Sequence, residues 1–153
     1  MKSKQDLLFE LIEEVLDDLL AESRFQTRKK RSFSTKLYKF VETHVGFYAS
    51  ERRSLALLER ESINLSAVQL SRITALRDEY SQCLSQLIFS EPEFRQMTPH
   101  AVAILVQSVI GMLQSMLTWY ETDSSLKEKQ LVETLYRMIY GAISATGKTP
   151  SLT

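Results

Sequence analysis

Cysteine is nearly absent from this chain of 153 residues, which contains Cys83 alone. A single thiol cannot form an intramolecular disulfide, and this sparing use of cysteine fits a protein of the reducing cytoplasm. Metal-ligand spacing is missing too, because the two histidines, His44 and His100, stand in separate segments with no cysteine or carboxylate at the required distance. The sequence therefore predicts no enzyme, and it points to no catalytic residue, no metal and no cofactor.

An excess of charge of either sign is also lacking, since nineteen basic residues balance nineteen acidic ones. A dedicated nucleic-acid-binding module usually has a basic face, so this balance argues against one. The clearest basic cluster is Arg28-Lys29-Lys30-Arg31. It can be interpreted as a phosphate or DNA contact, or as solvated cations that complement the C-terminal dipole of a helix, and we favour the second interpretation.

Only four glycines and three prolines interrupt the chain, and no segment alternates apolar and polar residues over the length of a strand. Apolar residues recur instead at spacings of three and four, which is typical of helices. The sequence therefore predicts an all-α fold of about six helices. The chain is long enough for one domain with a real core. We place that domain at residues 1–147 and predict a disordered tail at 148–153.

Capping residues mark where the predicted helices begin. Ser, Thr and Asp side chains accept hydrogen bonds from the free N–H groups of a first helical turn, and proline is tolerated there. In chain order the predicted starts are Ser3, Ser34 with a Phe33–Tyr38 hydrophobic staple, Ser50, Ser66 with Gln69, Thr98-Pro99, and about Ser124.

Charged residues are missing from the whole segment between Thr98 and Tyr120. A segment of this length could span a bilayer. It also contains His100, Gln107 and Gln114, and acidic rather than basic residues flank it, so we reject a membrane span. A helix that is apolar nearly all round is instead buried on every side. We expect one face to meet the core and the other to meet a partner.

The last helix, predicted to end near Ala145, carries two apolar rows where one core contact needs only one. Two consecutive helices of this kind favour a self-complementary surface, for which a two-fold homodimer is the default. We therefore predict a four-helix bundle formed by the last two helices of each subunit. The predicted interface residues are Val132, Leu135, Tyr136, Ile139 and Ile143.

The stretch SKQDLL at residues 3–8 opens a long amphipathic helix and resembles a junction in TetR-family transcriptional regulators. In that family a DNA-binding domain with a helix-turn-helix ends in an aromatic segment, and a Ser-Lys-acidic-x-Leu-Leu stretch follows. Gln5 stands where an acid is usual, and Met1 where phenylalanine is typical. The order and approximate lengths of the predicted helices resemble the family's C-terminal ligand-binding and dimerisation domain over almost all of the chain.

Two further motifs, at residues 76–88 and 111–120, resemble the branch of this family that responds to acyl-CoA thioesters. The resemblance implies a cytoplasmic homodimer that senses a small hydrophobic effector, with acyl-CoA as one candidate. It also implies that the first helix passes the signal to a DNA-binding domain that this sequence does not include, so that DNA is contacted only through that missing part.

Cavities in helical domains are mostly apolar, with a few polar groups that orient the ligand. For each candidate the alternative is plain core packing. The candidate ligand-binding residues are Phe40, His44, Phe47, Tyr80, Met112, Met116 and Trp119. A phosphate-bearing ligand would need a cation, for which Arg60, Arg72 and Arg77 are the nearest candidates, each with a solvated salt bridge as the alternative. Of these three, Arg77 is included in the predicted ligand-binding set.

A different class of function also fits these observations. A stand-alone helical dimerisation or adaptor module would use the same uncharged face to bind a protein partner. Coding sequence upstream of Met1 that translates in frame to a basic helix-turn-helix segment would favour the sensor, and an upstream stop codon would favour the adaptor.

Overall fold

The computed structural model describes residues 1–121 and 125–148, and all regular structure within these ranges is helical. Six helices have ten or more residues, and a seventh is a single short turn. The bounds are α1 Lys4–Arg28, α2 Phe33–Ser50, α3 Arg52–Glu61, α4 Ala67–Ser90, α5 Pro99–Gln114, α6 Met116–Trp119 and α7 Glu128–Lys148, with 3-10 turns at Ser62–Asn64 and Pro92–Phe94. The predicted all-α fold is confirmed.

Three of the predicted helix starts are confirmed in atomic detail. Ser3 and Asp6 form a reciprocal capping box at α1, and Ser66 and Gln69 form another at α4. The Thr98 side chain accepts a hydrogen bond from the Ala101 N–H at the start of α5. Each box satisfies two backbone donors that a helix end would otherwise leave free.

Two predicted starts are wrong. Ser32, not Ser34, caps α2 by accepting a hydrogen bond from the Thr35 N–H, so Phe33 lies inside the helix and the predicted staple is out of register. Ser50 does not cap α3, because its hydroxyl donates to the Phe47 carbonyl of the preceding helix. A serine hydroxyl can turn back onto its own helix or forward onto the next one, and only the tertiary path of the chain decides between the two.

The core is centred on α2, which packs against both α1 and α7. Its inner stripe comprises Leu37, Phe40, Val41 and Val45, all fully buried. Burying each such side chain stabilises the fold by roughly 1.5–3 kcal/mol relative to leaving it exposed. This stripe therefore holds the α1 and α7 sides of the domain together.

The uncharged segment folds as two helices rather than one, because the chain turns at Ser115 between α5 and α6. Within the described residues, Pro99–Trp119 is a segment whose length and composition alone would allow it to cross a membrane. An inner row of α5 is buried in the domain: Val102, Leu105, Val106, Val109, Ile110 and Leu113. A helix that buries one row of apolar residues inside the domain has the pattern of a core helix.

The predicted dimer residues on α7 require a correction. Val132, Leu135, Ile139 and Ile143 are buried inside the subunit, where they pack with α2 and α5, so they are not available to a partner. Tyr136 is half-buried and makes an edge contact with the Tyr38 ring. Neighbours within the same chain thus explain the buried part of both apolar rows of α7, while Met138 is 51% exposed.

The predicted end of the domain also changes. Helix α7 continues to Lys148, so that residue belongs to the fold rather than to the predicted tail. Residues 149–153 of the tail, and the predicted helix start at Ser124, lie outside the described residues.

Candidate ligand-binding site

A buried polar pair connects α2 with α4. The Nδ1 atom of His44 lies 2.6 Å from the hydroxyl oxygen of Tyr80, within hydrogen-bond distance. His44 is fully buried and Tyr80 is 7% exposed. Within the described part of the chain, His44 Nε2 and Ser23 Oγ are the buried side-chain polar atoms that have no hydrogen-bond partner. Each buried polar atom without a hydrogen-bond partner destabilises the fold by about 1–3 kcal/mol, so the unpaired Nε2 atom of His44 lowers the stability of the domain.

Aromatic rings surround the pair. The His44 ring stacks on Tyr48 with ring centres 4.0 Å apart, and the Phe40 ring stacks on Tyr80 at 5.1 Å. His44 and Tyr48 are four residues apart on α2, as are Phe40 and His44, so helical periodicity places all three on one face. The result is a layered aromatic cluster between α2 and α4.

Burial keeps this cluster uncharged at neutral pH. It lowers the pKa of His44 to about 3 and raises the pKa of Tyr48 to about 12. Burial also raises the pKa of Tyr80 well above its usual value. The nearby Ser23 hydroxyl has a smaller, opposing effect on this pKa, although it forms no hydrogen bond. A histidine with such a low pKa is a poor general base at pH 7, so the cluster is suited to binding rather than to proton transfer.

A cleft of about 390 Å³ opens between α4 and α5 and reaches Tyr80. Arg77 and Asp78 line it on α4, and Gln107 and Gln114 line it on α5. Ligand pockets in proteins typically have volumes of about 300–1,000 Å³. The cleft is therefore large enough for a small molecule, and its mouth carries two amides and two opposite charges.

Gln107 and Gln114 connect the cleft to its surroundings. The Gln107 Nε2 atom donates to Ser81 Oγ at 3.4 Å and joins the two walls. The Arg77 cation and, to a smaller extent, the Gln114 amide oppose the effect of burial on the Tyr48 pKa, and Tyr80 both lines the cleft and contacts His44. The buried aromatic cluster and the open cleft are thus parts of one continuous site.

The structure brings together four of the eight predicted ligand-binding residues: Arg77 and Tyr80 in the cleft, and Phe40 and His44 behind it. The other four lie elsewhere. Met116 is buried in the core, and Phe47 and Met112 pack half-buried against it. Trp119 is 50% exposed and donates from its indole nitrogen to Ser115 Oγ, so its predicted inward position is wrong.

Sequence reasoning missed Tyr48 as part of the site and left the roles of Gln107 and Gln114 open. A signal existed for Tyr48, because it follows His44 by one helical turn on the same apolar face. For the glutamines the signal was their isolation within an uncharged segment. Within the described ranges, no group of three or more histidine, cysteine or acidic side chains could hold a metal ion.

Comparisons with known structures agree with this fold. The TetR-family transcriptional regulator PfmR from Thermus thermophilus superimposes with a TM-score of 0.80 at 21% identity, covering 90% of this chain and 75% of that one. A TetR-family regulator from Bordetella parapertussis gives a TM-score of 0.82 at 18% identity, covering 91% and 72%. A TetR/AcrR-family regulator from Thermobifida fusca gives 0.76 at 17% identity, covering 91% and 74%.

Comparison with curated proteins finds no match. The model of the family described as "Tetracyclin repressor-like, C-terminal domain" matches residues 30–143, well over half of the chain. That region contains α2 to α5 and most of α7, and with them the cleft and the aromatic cluster behind it. The chain therefore belongs to the TetR-like regulators through their C-terminal domain.

Proposed function

We propose that this domain binds a small effector in the cleft between α4 and α5 and, as a homodimer, passes the signal through α1 to a DNA-binding domain. The observation that carries the proposal is the cleft itself. Tyr80 lines the cleft, and its hydroxyl is hydrogen-bonded to the fully buried His44. The Nε2 atom of His44 has no hydrogen-bond partner. An unpaired buried nitrogen is costly, so its connection to the cleft through Tyr80 supports a binding role for this cluster.

The lining defines the class of effector that fits best. The aromatic rings of Tyr80 and Phe40 favour an apolar or aromatic body, and the amides of Gln107 and Gln114 favour a polar group that donates or accepts hydrogen bonds. Arg77 supplies a cation, but Asp78 beside it disfavours a highly charged anion at the mouth. An effector of low net charge fits this balance, and acyl-CoA stays a prediction that the ligand panel below includes.

Helix α4 can carry a signal from the cleft to α1, because it lines the cleft and also makes hydrogen bonds and ion pairs with α1. The Gln69 amide donates to Asp6 at 2.9 Å, Arg72 pairs with Glu13 at 3.0 Å, and Arg24 pairs with Glu79 at 3.4 Å. These contacts are distributed along the length of α1. A ligand that prefers one position of α4 would therefore shift α1 with it, provided that it binds the two positions unequally.

The N-terminal end of α1 presents the surface that such a signal would reach. An apolar cleft of about 380 Å³ lies there, lined by Leu8, Leu57 and Leu65 among others. Ile63 is 88% exposed beside it. An exposed apolar patch of this kind marks a docking surface, and we assign it to the DNA-binding domain.

The outer faces of α5 and α7 are the proposed dimer surface, in place of the buried residues that the sequence predicted. Ile104 on α5 is 70% exposed and Met138 on α7 is 51% exposed, and the two helices pack side by side. Ser108 and Gly141 are also exposed on these helices and add no charge. The small residues allow the backbones of two subunits to approach closely, which suits a four-helix bundle.

The test is a thermal-shift screen of the purified chain against a ligand panel that includes a saturated long-chain acyl-CoA, with native mass spectrometry for the oligomeric mass and any retained ligand. We expect a dimer and a raised Tm for at least one low-charge ligand. Arg77→Gln and Gln114→Leu should abolish that shift, while the exposed Arg53→Gln on α3 should keep it. A shift that survives both cleft variants would place the ligand elsewhere.

The adaptor function remains the second candidate, because the exposed Ile63 and the apolar cleft near Leu8 would also suit a protein partner. The two functions differ in their response to ligand. If no ligand shifts the Tm and Ile63→Glu abolishes capture of a folded protein partner of known identity, the adaptor is supported and the sensor is not.

A further inference from the structure

Basic residues are concentrated in one part of the chain. Seven of the nineteen lie between residues 23 and 41, where there is no acidic residue at all. The dipole of α1 explains cations in its last turn, such as Arg28. It does not explain Arg24, one turn earlier, or Lys36, which belongs to the next helix.

The fold gathers three of these cations around one small cleft. Arg24 and Arg28 reach it from the last two turns of α1, Lys36 from the first turn of α2, and Cys83 and Gln86 from the end of α4. Its volume is about 130 Å³, the space of roughly four water molecules in liquid. A phosphate-sized anion therefore fits, whereas a large organic molecule does not.

Charge in the cleft is poorly neutralised by the protein itself. Arg24 pairs weakly with Glu79 at 3.4 Å. In the part of the chain that the structure describes, neither Arg28 nor Lys36 has a carboxylate within 4 Å. Burial raises the pKa of the Cys83 thiol, so no thiolate competes for these cations at neutral pH.

We propose that this cleft is a binding site for a phosphate group, carried by inorganic phosphate or by a small phosphomonoester. Arg28 and Lys36 supply the charge, and the Arg guanidinium can fork onto two phosphate oxygens. The Gln86 amide supplies a further donor. The site lies beside Cys83, on a different set of residues from the effector cleft, and does not depend on the proposed function.

The small volume of the cleft and its place between three helices separate this proposal from nucleic-acid binding. The cleft lies between three helices and ends at a thiol that is 6% exposed. Helix α1 has 25 residues, so at 1.5 Å per residue the cleft is about 30 Å or more from the N-terminal end where a DNA-binding domain attaches in our proposal. A duplex would instead contact the outer cations Lys29, Lys30 and Arg31.

Cys83 provides the measurement because it is the sole thiol in the chain. Its alkylation by the uncharged reagent N-ethylmaleimide is followed by intact mass, in phosphate or glycerol 3-phosphate and in chloride of equal ionic strength. An anion that blocks access slows the reaction by a factor of 1 + [L]/Kd, or about elevenfold at ten times Kd. Protection by phosphate identifies the free anion, and protection by glycerol 3-phosphate alone identifies the ester.

Charge variants decide whether the protection is specific. Arg28→Gln and Lys36→Gln should each remove it, whereas Lys30→Gln, which deletes an equal charge just outside the cleft, should retain it. Circular dichroism checks that each variant is folded, and calorimetric titration with inorganic phosphate gives the same comparison if the thiol reacts too slowly. Equal rates in chloride, phosphate and glycerol 3-phosphate, equal loss in all three variants, or protection by a short DNA duplex alone would overturn the proposal.

Discussion

The hydrogen bond between His44 Nδ1 and the Tyr80 hydroxyl, at 2.6 Å, joins α2, the central helix of the core, to α4, which lines the cleft between α4 and α5. One partner is fully buried and the other reaches the cleft. A ligand bound in this cleft, as we propose, would therefore contact the hydrogen-bond partner of a core residue on α2. The same geometry also makes the stability of the domain depend on the protonation of one histidine.

Stability should fall between pH 7 and pH 5 because of His44. The unfolded chain binds a proton near pH 6.5, but burial lowers the folded pKa to about 3. The unfolded state thus holds more protons throughout this window, and stability decreases as pH falls through it. Urea unfolding measures the free energy of unfolding at each pH. Between pH 7 and pH 5 it should decrease by about 2 kcal/mol more in the native chain than in His44→Gln.

His100 is the matched control for that measurement, because it is exposed at the start of α5. His100→Gln should keep the full pH dependence of the native chain. If His44→Gln loses as much stability as the native chain on acidification, the folded His44 is not held neutral.

Gly147→Ala should destabilise the domain although alanine is normally the better helix former. A Cβ added at Gly147 would lie 2.7 Å from Cδ1 of Phe94, whose ring is almost fully buried and cannot move freely. Overpacking of this kind costs typically about 1–3 kcal/mol. The free energy of unfolding in urea measures it.

Gly46→Ala is the comparison, because an added Cβ there meets nothing within 4 Å. That variant should be stabilised by up to about 1 kcal/mol through helix propensity alone. Equal effects of the two alanine substitutions would contradict the predicted contact with Phe94.

Ser66→Ala should destabilise the domain by about 1 kcal/mol, since it removes the side-chain acceptor of the capping box at α4. Ser50→Ala should cost much less. Its hydroxyl donates to the Phe47 carbonyl, which already belongs to α2. The N-cap residue of α3 is Glu51, and its side chain makes no capping hydrogen bond. Chemical denaturation of the two variants side by side distinguishes a true cap from a serine that merely precedes a helix.

Ile104→Glu should convert the proposed dimer to a folded monomer, because it places a charge on the exposed face of α5. Sedimentation or light scattering measures the mass, and circular dichroism confirms folding. Ile63→Glu, which alters an even more exposed residue in the 3-10 turn before α4, should leave the proposed dimer intact. A dimer that persists in Ile104→Glu would move the interface off the α5–α7 face.

Val132→Glu tests the correction to the interface residues on α7. Val132 is 3% exposed within the subunit, so a glutamate there should unfold the domain rather than release a folded monomer. A folded, monomeric Val132→Glu variant would restore the interface that the sequence predicted.

Local chemistry was readable in the sequence by itself. Helical periodicity predicted the all-α fold, and the Ser3, Ser66 and Thr98 caps were correct because a capping bond joins residues only three positions apart. The SKQDLL stretch and the helix order also identified the family that the model of residues 30–143 shows. Phe40 and His44 were placed on an inward stripe by the same periodicity.

Only the tertiary structure decided which neighbour each apolar face meets. Periodicity shows that Val132 and Ile139 are buried, but it cannot say whether the cover comes from the same chain or from another one, and here it comes from α2 and α5. The same limit applies to Trp119, which turns outward after the break at Ser115, and to Lys36, which joins cations from a different helix. Contacts between residues far apart in the chain depend on how the helices pack, and that arrangement minimises the free energy of the whole domain rather than of any single segment.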